Sequence, residues 1–88
     1  MRRYAPLNNQ TKMIYGTNPA GVNTVLLYVM FAAPNAATSE AAWQIQYMTY
    51  DASDNLLMLA FPQNSDGNAS ADFGFIANNY ASYTYGPA

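Results

Sequence analysis

The sequence contains no cysteine and no histidine. Without cysteine the chain has no disulfides, and the redox compartment stays undetermined. Without histidine it lacks the commonest general base, the usual metal ligand and every Ser-His or Cys-His catalytic pair. We therefore expect a protein that is not an enzyme and that has no catalytic residues, no cofactor and no metal site.

Charge is also scarce. Charged residues make up 9% of the 88 residues, compared with about 25% in ordinary soluble domains. Three basic and five acidic residues give a net charge of −2, whereas nucleic-acid affinity comes from many Lys and Arg side chains that neutralise phosphates. We therefore predict that nucleic acid is not the main partner.

The length is that of one small domain, and small domains usually need disulfides, a metal or oligomerisation for stability. With no cysteine and no histidine in the sequence, assembly with other chains is the remaining means of stabilisation. We divide the chain into an N-terminal arm, residues 1–10, and a single β domain, residues 11–88. The arm has no hydrophobic core of the kind that a secretory signal needs. We expect it either to lie on a neighbouring subunit or to form a disordered tail.

The aromatic content supports the same expectation. The chain has 8 Tyr, 4 Phe and 5 Met, and protein interfaces are enriched in these residues and depleted in Lys, Glu and Asp. The alternative is an uncharged β domain whose tyrosines lie in its own core. Our candidate interface residues are Arg2, Arg3, Tyr4, Tyr28, Met30, Tyr47, Tyr83 and Tyr85.

The clearest local pattern lies in residues 42–61. Trp43, Ile45 and Tyr47 alternate with Gln44 and Gln46, which predicts a half-buried strand because successive side chains point to opposite faces. The sequence Asp-Ala-Ser-Asp-Asn at residues 51–55 is typical of a turn, and residues 56–61 return as a second strand. We predict a central β-hairpin here.

Residues 22–32 form the most apolar run, and they are too few to cross a bilayer as a helix. Their β-branched and aromatic side chains predict a strand that is apolar on both faces. Such a strand is covered on both sides, either by the domain core and a partner subunit or by a sandwich. We expect three further strands, at residues 11–15, 73–76 and 80–85, and loops at residues 16–21, 32–41 and 62–72.

The acidic residues do not form a catalytic pattern. Asp51 and Asp54 flank one turn, and exposed turn carboxylates lack the fixed separation across a cleft that glycoside cleavage needs. Asp66, Asp72 and their neighbouring asparagines carry oxygen atoms that calcium prefers, but their spacing does not match the EF-hand loop. An Asp66-Gly67 turn explains these residues, and a weak calcium site is the alternative.

Three segments resemble short β-rich structural proteins of tailed bacteriophages. These segments are Ala-Thr-Ser-Glu-Ala-Ala-Trp-Gln-Ile at residues 37–45, Thr-Tyr-Asp-Ala-Ser-Asp-Asn at residues 49–55, and Ala-Ser-Tyr-Thr-Tyr at residues 81–85. The resemblance covers about residues 36–85. The sequence departs from the family pattern at Asp54, where Gly is usual, and at Tyr80, where Arg is expected.

This resemblance implies a virion component that packs against copies of itself and other virion proteins. We therefore expect an all-β fold, a small antiparallel β-sandwich or barrel of about six strands with an extended N-terminal arm. The expected function is that of a non-enzymatic phage structural subunit, with capsid decoration or cement as first choice, located in the virion and not in a membrane. The alternatives are a tail, collar or fibre-attachment protein, and a receptor- or glycan-binding module that uses exposed tyrosines.

Overall fold

The computed structural model describes residues 9–87, whose regular structure is antiparallel β-sheet with one short helix. This confirms the predicted class, a small antiparallel all-β domain of six strands. Arg2, Arg3 and Tyr4, with most of the predicted arm, lie outside the described residues. The strands are β1 (Gln10–Thr17), β2 (Thr24–Ala32), β3 (Ala41–Tyr50), β4 (Leu56–Pro62), β5 (Phe75–Ile76) and β6 (Tyr85–Pro87), with a 3₁₀ helix at Ala77–Ser82 between the last two.

The strands pair in the order β1-β2-β3-β4-β6, and β5 pairs with β3. All of these pairings are antiparallel. β3 is the centre of the sheet because it contacts β2, β4 and β5. Its first residues pair with β5 and its last residues pair with β4, so it connects the C-terminal strand β5 to the main sheet.

The predicted central hairpin is confirmed as β3 and β4, joined by the turn at residues 51–55. Asp51 stabilises this turn, since its Oδ1 atom accepts hydrogen bonds from the backbone N–H of Ser53 at 2.8 Å and of Asn55 at 3.0 Å. The predicted alternation also holds, with Trp43 1% exposed and Ile45 fully buried. The Asp51 side chain therefore closes the turn by accepting from the backbone two and four residues further on, as turn residues of this type do.

The core lies on one face of the sheet. It contains Met30 and Ala32 from β2, Trp43 and Ile45 from β3, and Phe75 and Ala77 near the C-terminus. The Trp43 indole N–H donates a hydrogen bond to the Ala37 carbonyl at 2.9 Å. A buried indole normally finds such an acceptor, because an unpaired donor in the core is costly.

The C-terminal region differs from the prediction. The strand predicted at residues 80–85 is wrong, because residues 77–82 form the 3₁₀ helix and β6 spans Tyr85–Pro87. Local phenol bonds hold this arrangement. The Tyr85 hydroxyl donates to the Tyr80 carbonyl at 2.6 Å, and the Tyr83 oxygen accepts from the Ile76 N–H at 2.8 Å.

Two further boundaries move. Gln10, assigned to the arm from sequence, is the first residue of β1. Its side-chain amide donates to the carbonyls of Ala33 at 2.9 Å and Ala36 at 2.7 Å, which ties β1 to the segment after β2. The strand predicted at residues 73–76 is shorter, because only Phe75 and Ile76 pair with β3.

Candidate interaction surface

In the described part of the chain the sheet ends in β1 on one side and, on the other, in β6 and the part of β4 that β6 does not cover. β1 pairs with β2 alone, so its other edge is open along its length. β4 pairs with β3 on one side, but β6 covers its other side at residues 60–62 alone. Residues 56–59 of β4 therefore have no strand on their outer side within residues 9–87. We call these four residues, Leu56, Leu57, Met58 and Leu59, the β4 edge segment.

The β4 edge segment is apolar and exposed. Leu56 is 56% exposed, Leu57 65%, Met58 36% and Leu59 41%. Consecutive side chains of a strand point to opposite faces, so apolar surface is open on both faces of β4. No residue from 55 to 65 carries a charge. Soluble monomers usually protect such an edge with charges, proline or a covering element, because it offers unpaired N–H and C=O groups.

The segment also contains an irregularity. Thr49 pairs with Met58 but Tyr50 pairs with Leu56, so Leu57 has no partner residue in β3. This is a bulge, in which one extra residue is left outside the ladder. Leu57, the most exposed residue of the segment, is therefore the one that lies outside the β3–β4 ladder.

An apolar groove of about 320 Å³ lies beside the segment. It adjoins β4 directly, because Met48 in its wall pairs with Leu59 and Tyr50 pairs with Leu56. Its lining residues are Thr17, Asn18, Pro19, Val25, Leu27, Tyr47, Met48, Thr49 and Tyr50. Val25, Leu27 and Met48 are half-buried, so the apolar surface continues from the β4 edge segment across the sheet.

Two loops hold the end of the sheet beside the groove. Asn18 is 4% exposed, and its Oδ1 atom accepts hydrogen bonds from the backbone N–H of Val22 at 3.0 Å and of Asn23 at 3.3 Å. Its amide group donates to the Asp54 carboxylate in the β3–β4 turn, as does the Asn23 side chain at 2.8 Å. These bonds fix the β1–β2 loop against the turn that leads into the β4 edge segment.

The structure corrects one of the predicted interface residues. Met30 is fully buried in the core, so its side chain has no surface to offer a partner. It faces inward because it pairs with Ile45 of β3, whose side chain lies on the core face. The sequence placed Met30 in a strand apolar on both faces, and that pattern does not distinguish the core face from the outer one.

Tyr28, Tyr47 and Tyr85 lie together at the border of the core, with Tyr80 of the 3₁₀ helix. The Tyr28 ring stacks on Tyr47 at a centroid distance of 4.7 Å and meets Tyr80 edge-on at 4.8 Å. Tyr85 completes the group, 5.2 Å from Tyr47. All four are half-buried, so this tyrosine cluster borders the domain's own core. That position fits the alternative in which the tyrosines pack within the domain. Their role at an interface stays a prediction, as does that of Tyr83.

Packing changes the acidity of two of these phenols. Burial raises the pKa of Tyr28, and the neighbouring Tyr47 and Tyr80 add to the rise. Burial likewise raises the pKa of Tyr85, with a second contribution from Tyr28. A desolvated phenol resists ionisation because the charged form loses its hydration. Tyr28 and Tyr85 therefore stay neutral to a higher pH than an exposed tyrosine does.

The acidic residues occupy turns. Hydrogen bonds from the backbone and side chain of Asn55 hold the pKa of the Asp51 carboxyl below its usual range. Asp66 accepts a bond from the Asn68 N–H at 3.0 Å in the turn that contains Gly67. Within residues 9–87 no three Asp, Glu, His or Cys side chains converge in a way that would hold a metal ion. The same residues include no helix long and apolar enough to cross a membrane.

Sequence reasoning missed the β4 edge segment as an interaction surface. The available signal was the run Leu-Leu-Met-Leu at residues 56–59, which is apolar at positions that face both sides of a strand. Comparisons with protein-family models, with curated proteins and with solved structures found no match to this chain.

Proposed function

We propose that this chain is a non-enzymatic structural subunit of a bacteriophage particle and that it works by packing against neighbouring subunits. The observation that carries the structural role is the β4 edge segment, four consecutive exposed apolar residues whose outer side no strand covers within the described residues. Exposed apolar patches of this kind are characteristic of interaction sites, because a monomer gains nothing by keeping them in water.

Composition and structure support this role independently. A chain with 9% charged residues has few means of keeping an apolar edge from associating. The core of Met30, Trp43 and Ile45 occupies one face of the sheet, while the groove lies among half-buried residues beside β4. A partner that covers the β4 edge segment and the groove would bury the apolar side chains of β2 and β4 that the core does not cover.

The assignment to a phage particle rests on the resemblance of residues 36–85 to short phage structural proteins. Capsid decoration is the role we propose within that class, in the virion, with other virion proteins and copies of the chain as partners. A tail, collar or fibre-attachment protein uses the same surface chemistry and is the alternative within the class.

The departure from the family pattern at Asp54 has a structural basis. Asp54 adopts a left-handed conformation with φ of 69°, a position that glycine occupies without steric cost. Here its carboxylate accepts hydrogen bonds from Asn18 and Asn23. These bonds offset the backbone cost, so the departure is compatible with the same turn.

A glycan-binding module would require a concave row of exposed tyrosines. Within residues 9–87 the one tyrosine classed as exposed is Tyr15, at 59%, while the others are half-buried. Tyr28 stacks on Tyr47 and meets Tyr80 edge-on, and Tyr85 contacts both Tyr28 and Tyr47 at a tilt, so these rings pack against one another. This arrangement favours the structural role over sugar binding.

The direct test is the composition of purified particles. We expect mass spectrometry to find the chain in purified particles of the phage that encodes it. Cryo-electron microscopy should place its β domain on the outside of the capsid. A particle that lacks the chain would contradict the proposal. Density at the tail or collar would replace the decoration role with the alternative.

A further inference from the structure

We infer that the β4 edge segment binds a second copy of this chain, through antiparallel pairing of residues 56–59 about a two-fold axis. This inference deepens the proposed function, on which it rests, by naming the contact surface and the partner. The pairing continues the sheet of one copy into the sheet of the other, so the open N–H and C=O groups of both edges become bonded.

The segment is complementary to itself. In antiparallel pairing about a two-fold axis through Met58, Met58 lies opposite the partner's Met58 and Leu57 lies opposite the partner's Leu59, so residues directly opposite each other share a face of the sheet. Every pair is therefore apolar with apolar. A two-fold contact uses the same patch on both copies, and such contacts are the commonest in homo-oligomers.

Charge selects the antiparallel direction. The β3–β4 turn before the segment carries Asp51 and Asp54. Parallel pairing would bring the two turns, with their four carboxylates, to the same end of the contact. Antiparallel pairing places the turns at opposite ends, each beside the uncharged end of the partner's β4, so the like charges stay apart.

Charge also distinguishes the two edges of the sheet. β1 carries exposed Lys12 within its strand, and a lysine on an edge strand opposes pairing with another chain because pairing would desolvate its ammonium group. The β4 edge segment has no such residue. Of the two edges, β4 is thus the one whose sequence allows a partner strand.

The extent of the contact follows from β6. Because β6 already pairs with residues 60–62, strand pairing between copies is limited to the four residues of the segment. A standard interface buries about 800 Å² per partner, more than four residues supply, so the contact continues over the adjoining surface of Met48 and the groove. Side chains on that surface pack against the partner rather than against water.

The experiment uses two charge-introducing variants on exposed apolar positions. Leu57→Lys places an ammonium group in the centre of the β4 edge segment, and Met13→Lys places one on β1 at a residue that is 50% exposed. Light scattering should show a dimer for the unmodified chain and for Met13→Lys. It should show a folded monomer for Leu57→Lys, with the dimer dissociation constant raised about tenfold or more.

Hydrogen exchange gives a second readout that does not depend on a variant. In the unmodified protein, amides of residues 56–59 should exchange more slowly at concentrations where the dimer forms than after dilution. A Leu57→Lys protein that still dimerises, or exchange at residues 56–59 that is independent of concentration, would overturn the inference. An equal loss of dimer in Met13→Lys would overturn the assignment to β4.

The two proposals fail separately. A chain that is monomeric in every measurement but present in purified particles would refute self-pairing and keep the structural role, with a different protein on the β4 edge segment. A chain that dimerises as described but is absent from particles would refute the phage assignment and keep the contact.

Discussion

The Asp54 carboxylate accepts a hydrogen bond from the side-chain amide of Asn18, joining the turn before β4 to the loop after β1. Asn18 is buried, and Asp54 stands in the left-handed region at φ 69°. A residue strained in this way persists where its surroundings determine its conformation. Here the surroundings are Asn18 and Asn23, whose side chains both donate to the Asp54 carboxylate next to the groove.

We predict that Asp54→Ala destabilises the domain by about 1–3 kcal/mol, because it loses both asparagine bonds and keeps the unfavourable φ. Asp54→Gly loses the same bonds but relieves the backbone, so it should be the more stable variant by about 1 kcal/mol. Urea unfolding followed by far-ultraviolet circular dichroism measures both. Equal stability of the two variants would contradict the role assigned to the backbone conformation.

Trp43→Ala should unfold the domain or cost about 3–5 kcal/mol, because it leaves a large cavity among Met30, Ile45 and Phe75. Trp43→Phe is the matched control. It keeps most of the apolar volume and removes the hydrogen bond to the Ala37 carbonyl, so its cost should be smaller. Thermal unfolding distinguishes the two, and an unchanged melting temperature in Trp43→Ala would mean that the centre of the core has been misplaced.

The tyrosine cluster predicts a loss of stability at alkaline pH. The folded state raises the pKa of Tyr28 and Tyr85, whereas an unfolded chain ionises its tyrosines near pH 10. The unfolded state therefore binds fewer protons above about pH 10, and the free energy of unfolding falls as pH rises through the folded-state values. Denaturant titrations over an alkaline pH series measure this slope.

Tyr28→Phe is the variant that checks the source of the alkaline slope. Phe keeps the stacking on Tyr47 and has no proton to lose, so the slope should be smaller than in the unmodified protein. Tyr15→Phe, at an exposed position on β1 outside the cluster, is the matched control. Equal slopes in all three proteins would rule out the cluster as the cause.

Acid should weaken the β3–β4 turn. The lowered pKa of Asp51 means that its carboxylate contributes to stability above the unfolded-state pKa of about 3.9. This contribution is lost as pH falls through the lower folded-state value. Asp51→Ala should accordingly be less stable than the unmodified chain near neutral pH, and the difference should shrink in acid. A difference that stays constant with pH would contradict this.

The alternation of Trp43, Ile45 and Tyr47 was sufficient to predict the hairpin and its buried face, because a period of two determines which side chains share a face. Tyr80 and Tyr83 were placed in a strand on β propensity alone. In the structure their segment forms a 3₁₀ helix followed by an extended segment, held by tyrosine hydroxyl bonds to backbone groups five and seven residues away. Strand propensity describes how a side chain fits a pleated sheet and does not include such side-chain to backbone bonds.

The sequence indicated that the chain has an interaction surface but did not indicate which residues form it. Low charge and many aromatic residues pointed to subunit contacts, and the tyrosines were chosen because they are typical of interfaces. Tyr28 and Tyr47 pack with Tyr85 at the border of the core, and a run of exposed apolar side chains lies at Leu56, Leu57 and Leu59. Which apolar residues stay uncovered depends on where β6 ends along β4, and the local pattern does not carry that information.

The central claim is that the β4 edge segment joins this chain to a second copy of itself. Sedimentation equilibrium of the purified, unmodified protein over a range of concentrations tests it most directly. The account predicts a reversible monomer–dimer equilibrium, with the dimer mass approached as concentration rises. A stable, soluble species of monomer mass across the whole range would contradict it.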